Sequence, residues 1–424
     1  MNKEFKKFDM KRPIMRQKQY LRPITWALSF PVTALQHTKI TKTNCEGLKP
    51  PYILLCNHNA FFDFQVATSA IFPHRANYVI AIDGFIGMEW LVRRVGGICK
   101  RKFTTDLMLI RHIKKCVNNG DVVIIYPEAR YSLCGTPSEL PESLGQMCKM
   151  MRVPLVTLNC QGNHLRNPFW NTKNRHVPYT EAHLEQLFTT EELKNASVDE
   201  INSAIKKALA YDDFAWQKKN NIKIRSSYRA EGLHRVLYQC PHCKTEYRMS
   251  SKGDTITCNH CKKQWKMSDL GELYAVNGET EFSHIPDWYE WQRDNVRAEV
   301  REGRYYFEAE CHVKSLPNAN KFIDIGEGKI IHDLDGFRLN GTGKYGDFEM
   351  ERKSGGLEAC HIEYNYKNKY GDCIDLNTLD DTFYIYPHGE DFSVTKIALA
   401  TEEIFRMIRE NTQHNIKSME VNEA

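Results

Sequence analysis

Four short apolar runs, at residues 52–56, 78–82, 122–126 and 153–158, alternate with helical stretches, and this alternation constrains the fold more than any other feature of the chain. Strands separated by amphipathic helices join through crossovers into a mainly parallel sheet, so residues 46–230 read as one α/β domain. The clearest helix is expected over residues 105–118. There Leu107, Ile110, Ile113 and Val117 recur at helical spacing, and Gly120 stands where a C-terminal cap belongs. Polar, helix-prone sequence at 179–219 is expected to continue the domain.

With 424 residues, 42% hydrophobic and 26% charged, the chain has material for two or three folded domains. The net charge of +5 sets up no global field for nucleic acid. The excess is local: the first 25 residues hold eight Lys and Arg against Glu4 and Asp9, a net of +6. The apolar stretch 24–35 that follows is broken by Ser29, Pro31 and Thr33, short of the ~20 residues of a spanning helix, and lacks a signal-peptide cleavage site. Leu21, Ile24, Trp26, Leu28 and Phe30 behind a basic run have the makeup of an element lying on an anionic membrane surface, and residues 1–45 are expected to face it. A helix packed on its own domain has an equal claim. The expected location is cytoplasmic with peripheral membrane association, since ten of the 14 cysteines are scattered singly with no disulfide framework.

Residues 57–63, Asn-His-Asn-Ala-Phe-Phe-Asp, directly follow the first apolar run, which puts His58 at a strand's carboxyl end, where ligand sites of open α/β sheets gather. If His58 lies in the loop and Asp63 in the first helical turn, the carboxylate holds one imidazole nitrogen and leaves the other as a general base. A structural histidine is the alternative. A second polar cluster, residues 126–132, Tyr-Pro-Glu-Ala-Arg-Tyr-Ser, ends the third apolar run. Its Glu128 and Arg130 read as a surface ion pair or as a cluster for an anionic head group. Between them, Gly96 and Gly97 precede Lys100, Arg101 and Lys102, which reads as a solvated charge run or as a phosphate site.

In order and spacing these blocks resemble the glycerolipid acyltransferase family of the lysophosphatidic acid acyltransferase (PlsC-like) type. His58 and Asp63, preceded by Asn57, match its His, four residues, Asp motif. Residues 96–102 match its Gly-x-x-Phe-Ile-x-Arg block, 126–132 its Phe-Pro-Glu-Gly-Thr-Arg-Ser block and 153–156 its Val-Pro-x-Val strand. The chain departs at Cys99, Lys100 and Lys102, and at Ala129, Arg130 and Tyr131, so its arginine comes two residues after Glu128 instead of three. The resemblance implies transfer of an acyl group from acyl-CoA or acyl carrier protein to a lysophospholipid hydroxyl. His58 and Asp63 would be catalytic. Asn57, Gly96, Gly97, Arg101, Lys102, Glu128, Arg130 and Ser132 would bind the acceptor and its phosphate.

Cys240, Cys243, Cys258 and Cys261 form two C-x2-C pairs, a spacing that suits a tetrahedral structural Zn²⁺ site in a ribbon at 236–276, with His242 and His260 as a minor alternative. Zinc ribbons also bind nucleic acid, and the competing reading is an adaptor protein whose acyltransferase-like domain is inactive. The ribbon's basic residues form no dense stripe with aromatics, so no nucleic acid is expected. Residues 277–424 read as β structure with turns at 341–347 and 367–372 and a closing helix at 394–408, by analogy a pleckstrin-homology or GRAM-like module.

Overall fold

The computed structural model describes residues 5–171, 173–366 and 371–422. The first unit is built on seven strands: β1 (Thr38–Thr43), β2 (Ile53–Cys56), β3 (Ala76–Ala81), β4 (Gly97–Lys100), β5 (Val122–Ile125), β6 (Leu155–Gln161) and β7 (Thr180–Phe188). Their order is β1-β7-β6-β2-β5-β3-β4. All neighbours are parallel except β6 and β7. The four expected strands are present, with β2 central.

Its helices are α1 (Arg22–Leu35), α2 (Asp63–Ala70), α3 (Glu89–Arg94), α4 (Leu107–Asn118), α5 (Ser143–Met151), α6 (Asn163–Arg166), α7 (Thr190–Asn195), α8 (Val198–Ala208) and α9 (Asp213–Lys219). Successive residues of a strand point to opposite faces. Leu54, Ile124 and Val156 therefore pack with Val66 and Ala67 of α2, while Ile53, Val123 and Leu155 pack with Ile113 of α4 and Ile201 of α8.

Two strands of this sheet depart from the expected pattern. β7 falls in the stretch expected to be helical: Thr180, Ala182 and Leu184 alternate inward, and pairing with β6 and β1 overrides a helix-prone composition. β1 lies within the stretch expected to face a membrane and pairs in the sheet.

A ribbon of β8 (Met249–Lys252), β9 (Thr255–Cys258), β10 (Gln264–Met267) and β11 (Leu273–Ala275) follows, antiparallel in the order β11-β10-β9-β8. Next comes α10 (Ile285–Arg301), a helix where β structure was expected. Pro286 opens it, and Trp288, Tyr289, Gln292, Val296 and Val300 lie on its buried side.

The C-terminal sheet holds β12 (Phe307–Ser315), β13 (Ile323–Asp333), β14 (Gly336–Gly343), β15 (Gly346–Lys353), β16 (His361–Glu363), β17 (Cys373–Asn377) and β18 (Thr382–Pro387). It is antiparallel, in the order β15-β14-β13-β12-β18-β17-β16. The turn expected at 341–347 joins β14 to β15. The one expected at 367–372 falls largely on residues 367–370, outside the described residues. α11 (Val394–Asn422) closes the chain, longer than the 394–408 expected.

One continuous core runs from Trp170 and Phe214 of the first unit, through Tyr238 and Trp265 of the ribbon, to Trp288, Val313, Ile385 and Ile397. The three units are thus joined by buried apolar surface, which brings residues far apart in sequence to the strand ends of the first sheet.

Candidate active site

His58 emerges from the carboxyl end of β2, and its backbone is held on both sides by the loop after β5. Its N–H donates to Glu128 Oε1 (3.0 Å), and its carbonyl accepts from the Ser132 N–H (2.9 Å). Asp63 opens α2 and is buried. Its Oδ2 accepts from the N–H of Asn59 (2.6 Å) and of Ala60 (2.9 Å), while Oδ1 accepts from Asn163 Nδ2 (2.8 Å). The carboxylate so fixed lies with Oδ2 3.2 Å from His58 Nδ1. A carboxylate at Nδ1 favours the tautomer protonated there and leaves Nε2 as the basic nitrogen. The imidazole sits between Tyr126 and Tyr131, with ring centroids 4.4 and 4.2 Å away, and keeps 22% of its side chain exposed.

The other expected site residues divide into two groups. Asn57, Glu128 and Ser132 gather at the His58 loop and hold its backbone. Asn57 Oδ1 accepts from the Cys160 N–H (2.7 Å) and its Nδ2 donates to the Cys160 carbonyl (2.8 Å), tying β2 to β6. Ser132 Oγ donates to the Thr136 carbonyl (2.7 Å) and accepts from the Gly135 N–H (2.9 Å). Glu128 also accepts from the Ser138 N–H (2.8 Å). Burial pushes its carboxyl up to about 7, against the pull of the Ser138 and His58 N–H groups. Ala129, where the family block has glycine, adopts the left-handed conformation at φ +55°, unfavourable for a residue with a Cβ.

The second group turns toward the C-terminal sheet. At Gly96 (φ +96°) a Cβ would stand 2.7 Å from the Ala76 carbonyl, and at Gly97 2.6 Å from Val92 Cγ1, so both glycines serve the close approach of β4 to β3 and α3. Arg101, expected to meet a phosphate, donates instead to the carbonyls of Leu316 (3.1 Å), Pro317 (3.1 Å) and Asp380 (3.0 Å) and to Thr382 Oγ1 (2.6 Å). Lys102 Nζ lies 3.4 Å from both Asp83 Oδ2 and Asp375 Oδ2. Arg130 is buried against Glu402 of α11, with Nε donating to Ser138 Oγ (3.1 Å). Sequence reasoning missed Asn163, the stacking of Tyr131 and the partners Asp375 and Glu402. None carries a local signal, because each lies over 70 residues from the group it serves or, for Tyr131, in a position the family block gives to arginine.

The ribbon gathers Cys240, Cys243, Cys258 and Cys261 with their sulfurs all within 4.8 Å of one another. Cys240 and Cys261 Sγ are 3.8 Å apart, and Cys243 and Cys258 Sγ 3.7 Å apart. Four thiolates at ~2.3 Å from one Zn²⁺ have sulfurs about 3.8 Å apart, so the donor set fits that ion. The two knuckles repeat one geometry. Lys244 and Lys262 turn at φ +66° and +63° and donate their N–H to Cys240 (2.9 Å) and Cys258 (2.8 Å) carbonyls. His242 faces Glu281 and His260 faces Thr245.

Residues 35–161 match the protein-family model described as Acyltransferase. This stretch, which is similar to that family, contains β1 to β6 and both His58 and Asp63. A search of curated proteins finds no match to the chain. Among solved structures, the crystal structure of the 1-acyl-sn-glycerophosphate (LPA) acyltransferase PlsC from Thermotoga maritima is similar over 45% of this chain and 79% of that one, with 13% sequence identity and a TM-score of 0.36.

Proposed function

We propose that this protein transfers an acyl group from an acyl thioester, acyl-CoA or acyl carrier protein, to a lysophospholipid hydroxyl, with His58 as the general base. The observation that carries the reading is the fixed Asp63 carboxylate facing Nδ1 of a partly exposed His58, within the stretch that matches the acyltransferase family model. Nε2 takes the hydroxyl proton as the oxygen attacks the thioester carbonyl. The tetrahedral intermediate then expels the thiolate, which recovers that proton from the imidazolium. Base assistance of this kind contributes ~10²–10⁴-fold. Glu128 and Ser132 hold the base through its own backbone.

An exposed apolar face on α1 supports work at a membrane surface: Ile24, Leu28 and Leu35 are exposed, while Trp26 and Phe30 pack on Phe72. Among the described residues no helix is long and apolar enough to cross a membrane. The four cysteines would hold a structural zinc, and the C-terminal sheet with its helix would act as the pleckstrin-homology or GRAM-like module.

The test is acyl transfer by purified protein from a labelled thioester to a panel of lysolipids, comparing wild type with His58→Ala and Asp63→Asn. Loss of transfer in a folded His58→Ala protein and severe impairment of Asp63→Asn are expected. Near wild-type turnover by His58→Ala would refute the mechanism.

A further inference from the structure

We infer that Tyr131, together with Tyr126, is a positioning residue that acts through His58: its ring face stabilises the positive charge that the imidazole takes on as it accepts the acceptor's proton. The inference rests on the acyl-transfer reading and deepens it. The imidazole lies between the two phenol rings, with centroids 4.4 and 4.2 Å away and planes inclined at 32° and 41°. Aromatic pairs usually keep their centroids ~4.5–7 Å apart, so contacts this close bring ring faces together and not edges. Tyr131 stands where the block that residues 126–132 resemble has arginine, and the contact is not implied by that resemblance.

His58 is met from two directions. At its edge, Asp63 Oδ2 lies 3.2 Å from Nδ1. The lone pair of Nε2 also lies in the ring plane, so rings on the two faces leave the base open to a hydroxyl arriving in that plane. Burial pushes both phenol hydroxyls above their ordinary value, so the rings stay neutral and act through their π faces, not as phenolates. Tyr131 also packs on Phe169 (5.8 Å between centroids), and Phe169 on Tyr364 of the C-terminal unit (5.3 Å). The next residue, Ser132, donates its N–H to the His58 carbonyl, so one fixed loop carries the ring and holds the base.

A cation over a ring face, within ~6 Å of its centroid, is attracted by the negative face of the π system, and more strongly where water is excluded. A neutral imidazole is not attracted in this way. The contact therefore strengthens as Nε2 takes the hydroxyl proton. An interaction stronger in the transition state than before it raises kcat and leaves KM unchanged. Tyr131 is thus expected to act on the rate of the chemical step and not on the binding of either substrate.

The experiment measures single-turnover acyl transfer by the full-length protein, from oleoyl-CoA to the lysolipid that wild type uses fastest. The variants are Tyr131→Leu, Tyr131→Phe and, at the same position, phenylalanines of increasing ring fluorination. Fluorine withdraws charge from the ring face and changes its shape little. Tyr131→Phe is expected to keep the wild-type rate, and Tyr131→Leu to lose on the order of five- to thirtyfold at saturating substrate. The fluorinated rings are expected to fall stepwise between these two, with the substrate concentration at half-maximal rate unchanged. A rate that does not follow fluorination would overturn the inference, because packing alone is blind to it, while leaving the acyl-transfer reading standing. A shift in half-saturation at an unchanged maximal rate would also overturn it, since Tyr131 would then be a wall of the acceptor site. No transfer by wild type to any lysolipid would overturn the acyl-transfer reading and the inference with it. If Tyr131→Leu does not fold, the fluorinated series decides.

Discussion

Arg130, in the loop that holds the His58 backbone, and Glu402, in the last helix, form a buried ion pair across 272 positions of sequence. Arg293 of α10 shares the same carboxylate, so Glu402 compensates two buried guanidinium groups. Glu402→Ala leaves both short of a partner, and a loss of about 3–5 kcal/mol in unfolding free energy is expected. Urea unfolding followed by circular dichroism measures it. A loss under about 1 kcal/mol, the range of exposed pairs, would mean that the loop does not depend on the helix.

The Glu128 carboxyl, pushed up by burial to about 7 from an ordinary value of 4.5, gives a pH dependence of defined sign. Between these values the folded protein keeps a proton that the unfolded chain has lost. Stability from this group is therefore highest below the unfolded value, falls as pH rises toward about 7, and is level above it. Glu128→Gln lacks the ionisation. The stability of wild type relative to this variant is expected to fall by on the order of 1–3 kcal/mol between about pH 5 and pH 8. A difference that stays constant or grows over that range would contradict the assignment.

How much of this was legible in the sequence depended on how local each signal is. β2 and β5 are apolar at every position because both faces of the central sheet are covered, so they stand out as runs. His58 and Asp63 are legible because five residues separate them and a strand end precedes them. The four cysteines are legible by spacing alone. β7 is not: its Glu181, His183 and Glu185 face outward, and its Ala, Glu, Leu and Gln also suit a helix, so only the pairing with β6 and β1 decides. α10 hides behind Trp288, Tyr289 and Trp291, residues as common in strands. The fates of Arg101 and Arg130 were illegible because their partners lie more than 200 residues away, and a buried ion pair leaves no pattern in the residues beside it.

For the membrane reading, point variants are a better test than truncation, because the N-terminal stretch has structural duties: Phe8 is buried and Arg16 pairs with Asp121. Ile24 and Leu28, one helical turn apart on α1, are 53% and 60% exposed. Burying such a side chain contributes ~1.5–3 kcal/mol. Replacing both with Ser is expected to weaken binding to anionic vesicles tenfold or more on that scale, and salt to weaken it further by screening the basic residues. Co-sedimentation that is indifferent to both changes would leave α1 as an ordinary surface helix.

The ribbon is expected to carry one zinc per chain on Cys240, Cys243, Cys258 and Cys261, with a structural role. Four thiolates complete a tetrahedral shell and leave no open position for water or substrate, and the proposed base needs no metal. The ribbon has only short strands of its own, so metal binding would supply much of its folding energy, on the order of 10 kcal/mol. It is not isolated, however. Trp265 packs on Trp288 of α10, and Cys240 and Cys258 lie in the core that reaches Phe214 and Ile397. Cys240→Ser with Cys243→Ser should therefore lose the metal and disorder residues 236–270, with damage spreading first to α10. Metal analysis tests the site: less than half an equivalent of zinc in carefully prepared protein would refute it. Hydrogen exchange on the variant tests the coupling, since protection retained in α10 would mean that the ribbon is only attached. Acyl-transfer kinetics separates the two roles. A partial loss fits a brace for the α/β domain, whereas a loss as complete as that of His58→Ala, with the α/β domain still protected from exchange, would mean that the ribbon takes part in the reaction.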